Sequence, residues 1–221
     1  MKTAIIAGAT GAIGTELLAI LLNAAEYDQV HCLVRRPLGF SHSKLIVHLI
    51  DFDEWDPQTL ISTHSELMHG QVFCCLGSTL KQAGFLDAFK RIDIDYVLSV
   101  AKFAEESSAE GFSLISAIGA NASSSNYYTQ TKGEVEQQVQ QHHIPAIRIF
   151  RPSLLHAKRA QFRLGEYVGF MLLTVLSPLL QGKLKKYRAI STKQVAKALY
   201  LTSIEEHDGV VIFESDAIQN Y

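Results

Sequence analysis

An α/β fold is predicted: a doubly wound parallel sheet of about seven strands with helices on both faces. Three observations predict it. Short β-rich runs alternate with helical patterns along most of the chain. Several of those runs are continuously apolar, as strands are when both sheet faces are covered. A glycine-rich turn stands at the first strand–helix junction.

The expected strands are Thr3–Ala7, Gln29–Val34, Lys44–Leu49, Gln71–Cys75, Gly111–Ile115, Ile144–Phe150 and Val210–Phe213. The first is read as a strand because its apolar run ends in glycines. Between the strands lie the expected helices Ile13–Ala25, Ile92–Glu110, Tyr127–Gln141 and Ser191–Ser203, with Pro57–His64 a weaker pattern. The alternation weakens after Pro152. No repeat, low-complexity tract or Pro/Gly-rich linker divides the chain, so residues 1–221 are expected to form one domain. Residues 153–190 read as a small excursion that caps a substrate.

Composition narrows the function. The chain has 221 residues, of which 48% are hydrophobic and 19% charged, enough to bury a core without disulfides or metals. Lys plus Arg is 20 against 22 Asp plus Glu, a net charge of −2, which argues against a nucleic-acid partner. Cys32, Cys74 and Cys75 do not make a disulfide scaffold, and the adjacent pair reads as packing in a buried strand. The N-terminal apolar run is too short for a signal peptide. The run from Tyr167 to Leu180 is interrupted by Pro178 and falls short of the ~20 residues that span a bilayer. It reads first as cover for the sheet or the substrate, then as an oligomer surface, then as a membrane contact. A cytoplasmic protein, monomer or homodimer, is expected.

The first strand runs into Gly8-Ala9-Thr10-Gly11-Ala12-Ile13-Gly14. Such a turn lets the backbone approach a pyrophosphate, and the following helix offers unpaired N–H groups and the positive end of its dipole. Dinucleotide folds often place an acid about 20 residues further on, for a ribose hydroxyl. Here Arg35 and Arg36 stand there, and two guanidiniums favour a 2′-phosphate. NADP(H) is therefore expected as cofactor, with NAD(H) the alternative. Asp51-Phe52 follows the third strand, where an acid can accept from an adenine amino group, although a plain loop acid reads equally well. In Leu76-Gly77-Ser78, after the fourth strand, Gly77 would let the backbone pass the adenosine ribose.

Tyr128 and Lys132 stand four apart, on one face of an expected helix. An ammonium beside a phenol favours the phenolate and makes it a usable acid or base near neutral pH. Tyr127 lacks a lysine at the same spacing. Ser116, after the fifth strand, could orient a substrate oxygen. Among other candidates, His142-His143 reads as a helix-end feature, His156 as a residue that could line the cleft, and Lys183–Arg188 as a solvated basic turn. No metal-ligand spacing is present.

Taken together, these motifs resemble the short-chain dehydrogenase/reductase superfamily over essentially the whole chain. The match is nearest its atypical Tat-interacting, CC3-like subgroup. The resemblance is carried by Gly8–Gly14, Phe73-Cys74-Cys75-Leu76-Gly77-Ser78-Thr79, Arg91-Ile92-Asp93-Ile94-Asp95-Tyr96-Val97, Ser116 with Gly119-Ala120, Tyr128 to Lys132 with Gly133-Glu134-Val135-Glu136, and Phe150-Arg151-Pro152-Ser153. The Cys74-Cys75-Leu76-Gly77 and Lys132-Gly133-Glu134-Val135-Glu136 stretches are the part specific to the subgroup. It implies a Rossmann-type sheet, bound NADP(H), catalytic roles for Ser116, Tyr128 and Lys132, and Arg151-Pro152 near the nicotinamide. Ala117 stands where some relatives carry a second serine, and no asparagine completes the relay of many superfamily enzymes. The expected activity is hydride transfer between nicotinamide and a small carbonyl or alcohol substrate. The alternative is a regulatory NADP(H)-binding protein with a protein partner and little turnover. A sugar-nucleotide epimerase is disfavoured by the short stretch after Tyr128.

Overall fold

Thr3–Ala7 is buried at every residue. A strand with helices on both faces has this pattern, and it forms the central strand β1. The computed structural model describes residues 2–79, 83–156 and 182–221. Around β1 are β2 (Gln29–Val34), β3 (Leu45–Leu49), β4 (Gln71–Cys74), β5 (Gly111–Ile115), β6 (Ala146–Arg151) and β9 (Gly209–Glu214). They form one seven-stranded sheet in the order β3-β2-β1-β4-β5-β6-β9, with every pairing parallel. The short strands β7 (Leu155–His156) and β8 (Ile190–Ser191) pair in a second, two-stranded sheet. It brackets much of the expected excursion, and the Tyr167–Leu180 run lies outside the described residues.

Among the described residues the α-helices are α1 (Ala12–Asn23), α2 (Pro57–Thr63), α3 (Leu86–Lys90), α4 (Tyr96–Glu106), α5 (Tyr127–Val139), α6 (Thr192–Ile204) and α7 (Ser215–Ile218). Apolar residues at helical spacing decide their faces. Leu17 and Leu21 of α1 pack with Val195 and Leu199 of α6 on one side of the sheet. Val97 and Phe103 of α4 pack with Val135 and Val139 of α5 on the other. Each such fully buried aliphatic side chain contributes about 1.5–3 kcal/mol.

Several boundaries differ from expectation, for local reasons. The helix expected at Ile92–Glu110 begins earlier, as α3, passes through a π-turn at Arg91–Asp95 and continues as α4. It stops at Glu106, and Ser108 then takes the left-handed conformation with φ +51. The sixth strand starts at Ala146; Pro145 has no N–H to donate to the ladder, although its carbonyl accepts from the Gly209 N–H at 2.7 Å. The basic segment expected as a turn forms a 3-10 helix at Gly182–Tyr187.

The strand order runs outward from β1 in one direction and from β4 in the other. This is a topological switch point, and ligands of open α/β sheets bind beyond the strand ends there.

Candidate functional site

At the switch point the backbone crosses itself closely. Gly8 has φ +86, and a Cβ there would lie 2.6 Å from the carbonyl carbon of Cys75. A Cβ on Gly14 would lie 2.1 Å from the Gly8 carbonyl oxygen. The turn therefore tolerates no side chain at either place. Gly11 donates its N–H to the Gly8 carbonyl at 3.0 Å. No side chain caps the N-terminus of α1, and the Thr15 hydroxyl turns back onto the Gly11 carbonyl at 2.8 Å. Thr10 and Ala12 are exposed, while Ile13 and Gly14 are buried. A bare backbone cradle at an uncapped helix start suits a pyrophosphate.

Arg35 and Arg36 emerge exposed just beyond β2. Arg35 lines a cavity of about 370 Å³ with Leu49, Ile50 and Asp51. Thus the guanidinium and the acid expected for the adenosine end share one hollow. Asp51 also builds its own turn, accepting from the Asp53 N–H at 3.1 Å. The Phe52 side chain does not face that hollow. It is buried, with its ring 5.3 Å from that of Tyr96 and 5.6 Å from that of Trp55.

The turn after β4 is held by a residue to which sequence reasoning gave no role. Asp93, in the π-turn, is fully buried. Its Oδ2 accepts from the Ser78 N–H at 2.8 Å and from the Ser78 hydroxyl at 3.0 Å. Its Oδ1 lies 2.7 Å from Lys132 Nζ, an ion pair without hydrogen-bond alignment at that oxygen. Gly77 rests on the pair: a Cβ there would lie 3.4 Å from both charged atoms. Leu76 is half-buried.

Tyr128 and Lys132 lie on α5, whose start is fixed by Asn126 accepting from the Tyr128 and Thr129 N–H groups. Tyr128 is half-buried, with its ring 5.9 Å from Phe89. The Lys132 side chain is 4% exposed. Burial disfavours its charge, but Asp93 and then Tyr128 outweigh that, and its affinity for the proton rises above the ordinary lysine value. Gly133 allows the helix to pass under a loop: a Cβ there would lie 2.1 Å from the Ala122 nitrogen.

Ser116 lies at the end of β5, buried, and its N–H donates to the Phe150 carbonyl at 2.8 Å. Its hydroxyl donates to Glu136 Oε1. Glu136 in turn receives Arg151 through Nε at 3.0 Å and Nη2 at 2.6 Å, and Arg151 Nη1 reaches Glu214 at 3.0 Å. These two carboxylates raise the guanidinium's proton affinity above its usual value. The Arg151 guanidinium is thus engaged by carboxylates, beside a buried Pro152. Glu136 is four residues beyond Lys132 and eight beyond Tyr128, and that helical spacing is the signal that could have found it. Asp93 and Glu214 gave no comparable signal.

His142 and His143 both hydrogen-bond Glu105 on α4, at 2.7 and 3.0 Å, so a carboxylate holds them rather than the helix end. Burial pushes the Cys74 thiol up to about 12, and Cys75 higher still. No cluster of metal ligands and no membrane-spanning helix occurs among the described residues. The His156 side chain lies outside them.

Residues 8–164 match a family model described as NAD(P)H-binding. The chain is 35% identical over 171 residues to Protein HTATIP2 of Rattus norvegicus, covering 76% of this chain and 69% of that one. It is 29% identical over 215 residues to Protein FMP52, mitochondrial, of Debaryomyces hansenii, covering 95% and 92%. Among solved structures, MoeE5 in complex with UDP-glucose and NAD superposes with a TM-score of 0.67 at 14% identity, over 96% of this chain and 76% of that one. ElxO with NADP bound gives 0.65 at 13%, over 98% of both. At such identities the structures establish the Rossmann-like fold alone. With the glycine cradle at the switch point and a family match over most of its length, the chain belongs to the NAD(P)H-binding family, as an atypical short-chain dehydrogenase/reductase.

Proposed function

We propose that this protein is an NADP(H)-dependent oxidoreductase acting on a small carbonyl or alcohol. The observation that carries the reading is the placement of Tyr128 and a charged Lys132 on one face of α5, with Lys132 against the Gly77–Ser78 turn. When bound, the nicotinamide supplies or takes the hydride. Gly8, Thr10, Gly11, Ala12, Ile13 and Gly14 would hold the pyrophosphate, and Arg35 and Arg36 the 2′-phosphate. Asp51 and the backbone of Phe52 would border the adenine, with Leu76, Gly77 and Ser78 along the ribose. Tyr128 moves the proton to or from the substrate oxygen, and Lys132 steadies the phenolate. Ser116 orients that oxygen when it is a hydroxyl, by accepting from it, and the Arg151-Pro152 corner borders the nicotinamide end.

The test is a carbonyl and alcohol panel with NADPH or NADP, comparing the parent with Tyr128→Phe. A loss of about 10²–10⁴-fold is expected. Equal rates in the two proteins would remove Tyr128 from the mechanism.

One observation favours a second reading, nucleotide binding with little turnover and a protein partner. The Ser116 hydroxyl and the Lys132 ammonium are both already engaged, by Glu136 and Asp93. Tight NADPH binding, silence across the panel and a co-purifying partner would support it. Either reading takes residues 1–221 as one domain, monomeric or dimeric, in the cytoplasm. Cell fractionation tests the location, since relatives carry the description mitochondrial.

A further inference from the structure

We propose that Asp93 is a positioning residue: its carboxylate keeps Lys132 an ammonium ion and ties α5 to the Gly77–Ser78 turn, so that one side chain sets both walls of the cleft. This rests on the reading above for the work given to Lys132.

The geometry assigns two tasks to the two oxygens. Oδ1 faces Lys132 Nζ at 2.7 Å, and Oδ2 takes both donors of Ser78. Asp93 and its two partners come from three separate elements: the π-turn, the turn after β4, and α5. Asp93 is fully buried and the Lys132 side chain 4% exposed, so water does little to stabilise either charge. A buried ammonium with no counter-charge sheds its proton near neutral pH. An asparagine could accept from Ser78 but would supply no charge. Only an acid does both. Among the described residues, Tyr128 on its own helix and Cys74 at the end of β4 also act on Lys132. Burial keeps Cys74 a neutral thiol, and Asp93 is the carboxylate that supplies the counter-charge.

The π-turn explains how the carboxylate arrives there. A single wide turn inside an α-helix changes the register of the residues within it. Arg91–Asp95 forms that turn, while Tyr96 and Val97 beyond it remain in the core. Gly77 completes the arrangement, since its bare backbone packs on the ion pair.

The experiment follows the lysine ammonium directly by NMR of protein labelled with ¹⁵N-lysine, titrated from pH 6 to 10. Fluorescence measures NADPH binding in parallel. The proteins are the parent, Asp93→Asn and Ser78→Ala. In the parent, Lys132 stays charged across the range. In Asp93→Asn it loses its proton at least two pH units earlier, and NADPH binding weakens at least tenfold with the same midpoint. In Ser78→Ala, NADPH binding weakens a few-fold while the lysine titration does not move.

An Asp93→Asn protein whose Lys132 titrates as in the parent overturns the proposal. Should Asp93→Asn fail to fold, the double variant Asp93→Asn/Lys132→Met decides. Removing both partners restores folding if the carboxylate serves the lysine, and failure to restore it overturns the proposal. A parent that binds no NADPH refutes the functional reading instead, and the Lys132 titration still decides on Asp93.

Discussion

Ser116 donates its hydroxyl proton to Glu136, and Glu136 is clamped from the other side by Arg151. A hydroxyl whose one proton is given to a carboxylate offers only lone pairs to the cleft. It can accept from a substrate alcohol or from the Tyr128 phenol, but it does not donate to a carbonyl oxygen. The sequence expectation gives Ser116 the task of orienting a substrate oxygen. In the proposed reaction, donation to a carbonyl therefore falls to Tyr128.

Glu136→Gln should therefore cost stability. The substitution leaves a partly buried guanidinium with Glu214 as its remaining carboxylate partner. Breaking a buried pair by removing one partner costs about 3–5 kcal/mol, and the surviving Glu214 contact points to the lower end. Urea denaturation measures it. A midpoint equal to the parent's would show that the network adds nothing to stability.

The glycine cradle makes a sharper demand. Gly14→Ala places a methyl group 2.1 Å from the Gly8 carbonyl oxygen, and backbone cannot yield there as a side chain can. The turn must open, which pulls the helix start away from the phosphate position. NADPH affinity should fall at least tenfold, read by fluorescence titration. Gly39→Ala is the control: Gly39 also has positive φ, +72, but nothing lies within 4 Å of a Cβ there. It should lose about 1–3 kcal/mol of stability at most and keep its affinity. Equal affinity losses in the two variants would mean that strain anywhere, rather than the cradle, governs binding.

Much of the fold was legible because its signals are local. Apolar runs mark β1, β2 and β5 with the bounds the structure gives them. Tyr128 and Lys132 were readable from spacing within one helix. The counter-ions were not. Asp93 and Glu214 reach their partners through the packing of separate elements, at sequence separations of 39 and 63 residues, and no periodicity encodes such a meeting. The π-turn was equally hidden, since its five residues read as ordinary helix. Phe52 was legible only in part: it follows Asp51 in the chain, but its ring packs in the core, as aromatic side chains tend to.

The paired arginines make a prediction about cofactor choice. Arg35→Ala/Arg36→Ala removes two exposed guanidiniums next to the Asp51 hollow. A charge-assisted hydrogen bond contributes about 1.5–3 kcal/mol, so NADPH should bind roughly 10–100-fold more weakly. NADH, which has no 2′-phosphate, should bind as before. Calorimetry with both nucleotides separates the cases. A parallel loss for both would place the arginines on the shared pyrophosphate, and no loss for either would leave them as surface charges.

A last prediction concerns acid. His31, fully buried on β2, meets His48 of β3 through Nδ1 and Nε2 at 2.9 Å, and its other nitrogen faces Gln29 at 3.2 Å. His64 packs edge-on against His48 and pairs with Glu66 at 3.1 Å. A hydrogen bond between two imidazole nitrogens needs one of them bare, so protonating both rings breaks it. Burial, and then the neighbouring His48, hold His31 down to about 4. Burial and His64 hold His48 below its ordinary value as well. In the unfolded chain both titrate near 6.5, so below that pH the unfolded state binds more protons than the folded one. Stability is therefore complete above about pH 7 and declines as the pH falls from 6.5 toward 4. At pH 5 the His31 contribution alone should be about 2 kcal/mol smaller than at pH 7.5. Glu105, held down to about 2 chiefly by the His143 N–H, loses most of its contribution only as the pH falls below about 4.5, under the pH range that tests His31. Urea denaturation at pH 7.5, 6 and 5 measures the slope, and His31→Gln should flatten it. A His31→Gln protein with the parent's full slope would assign the acid sensitivity to other groups.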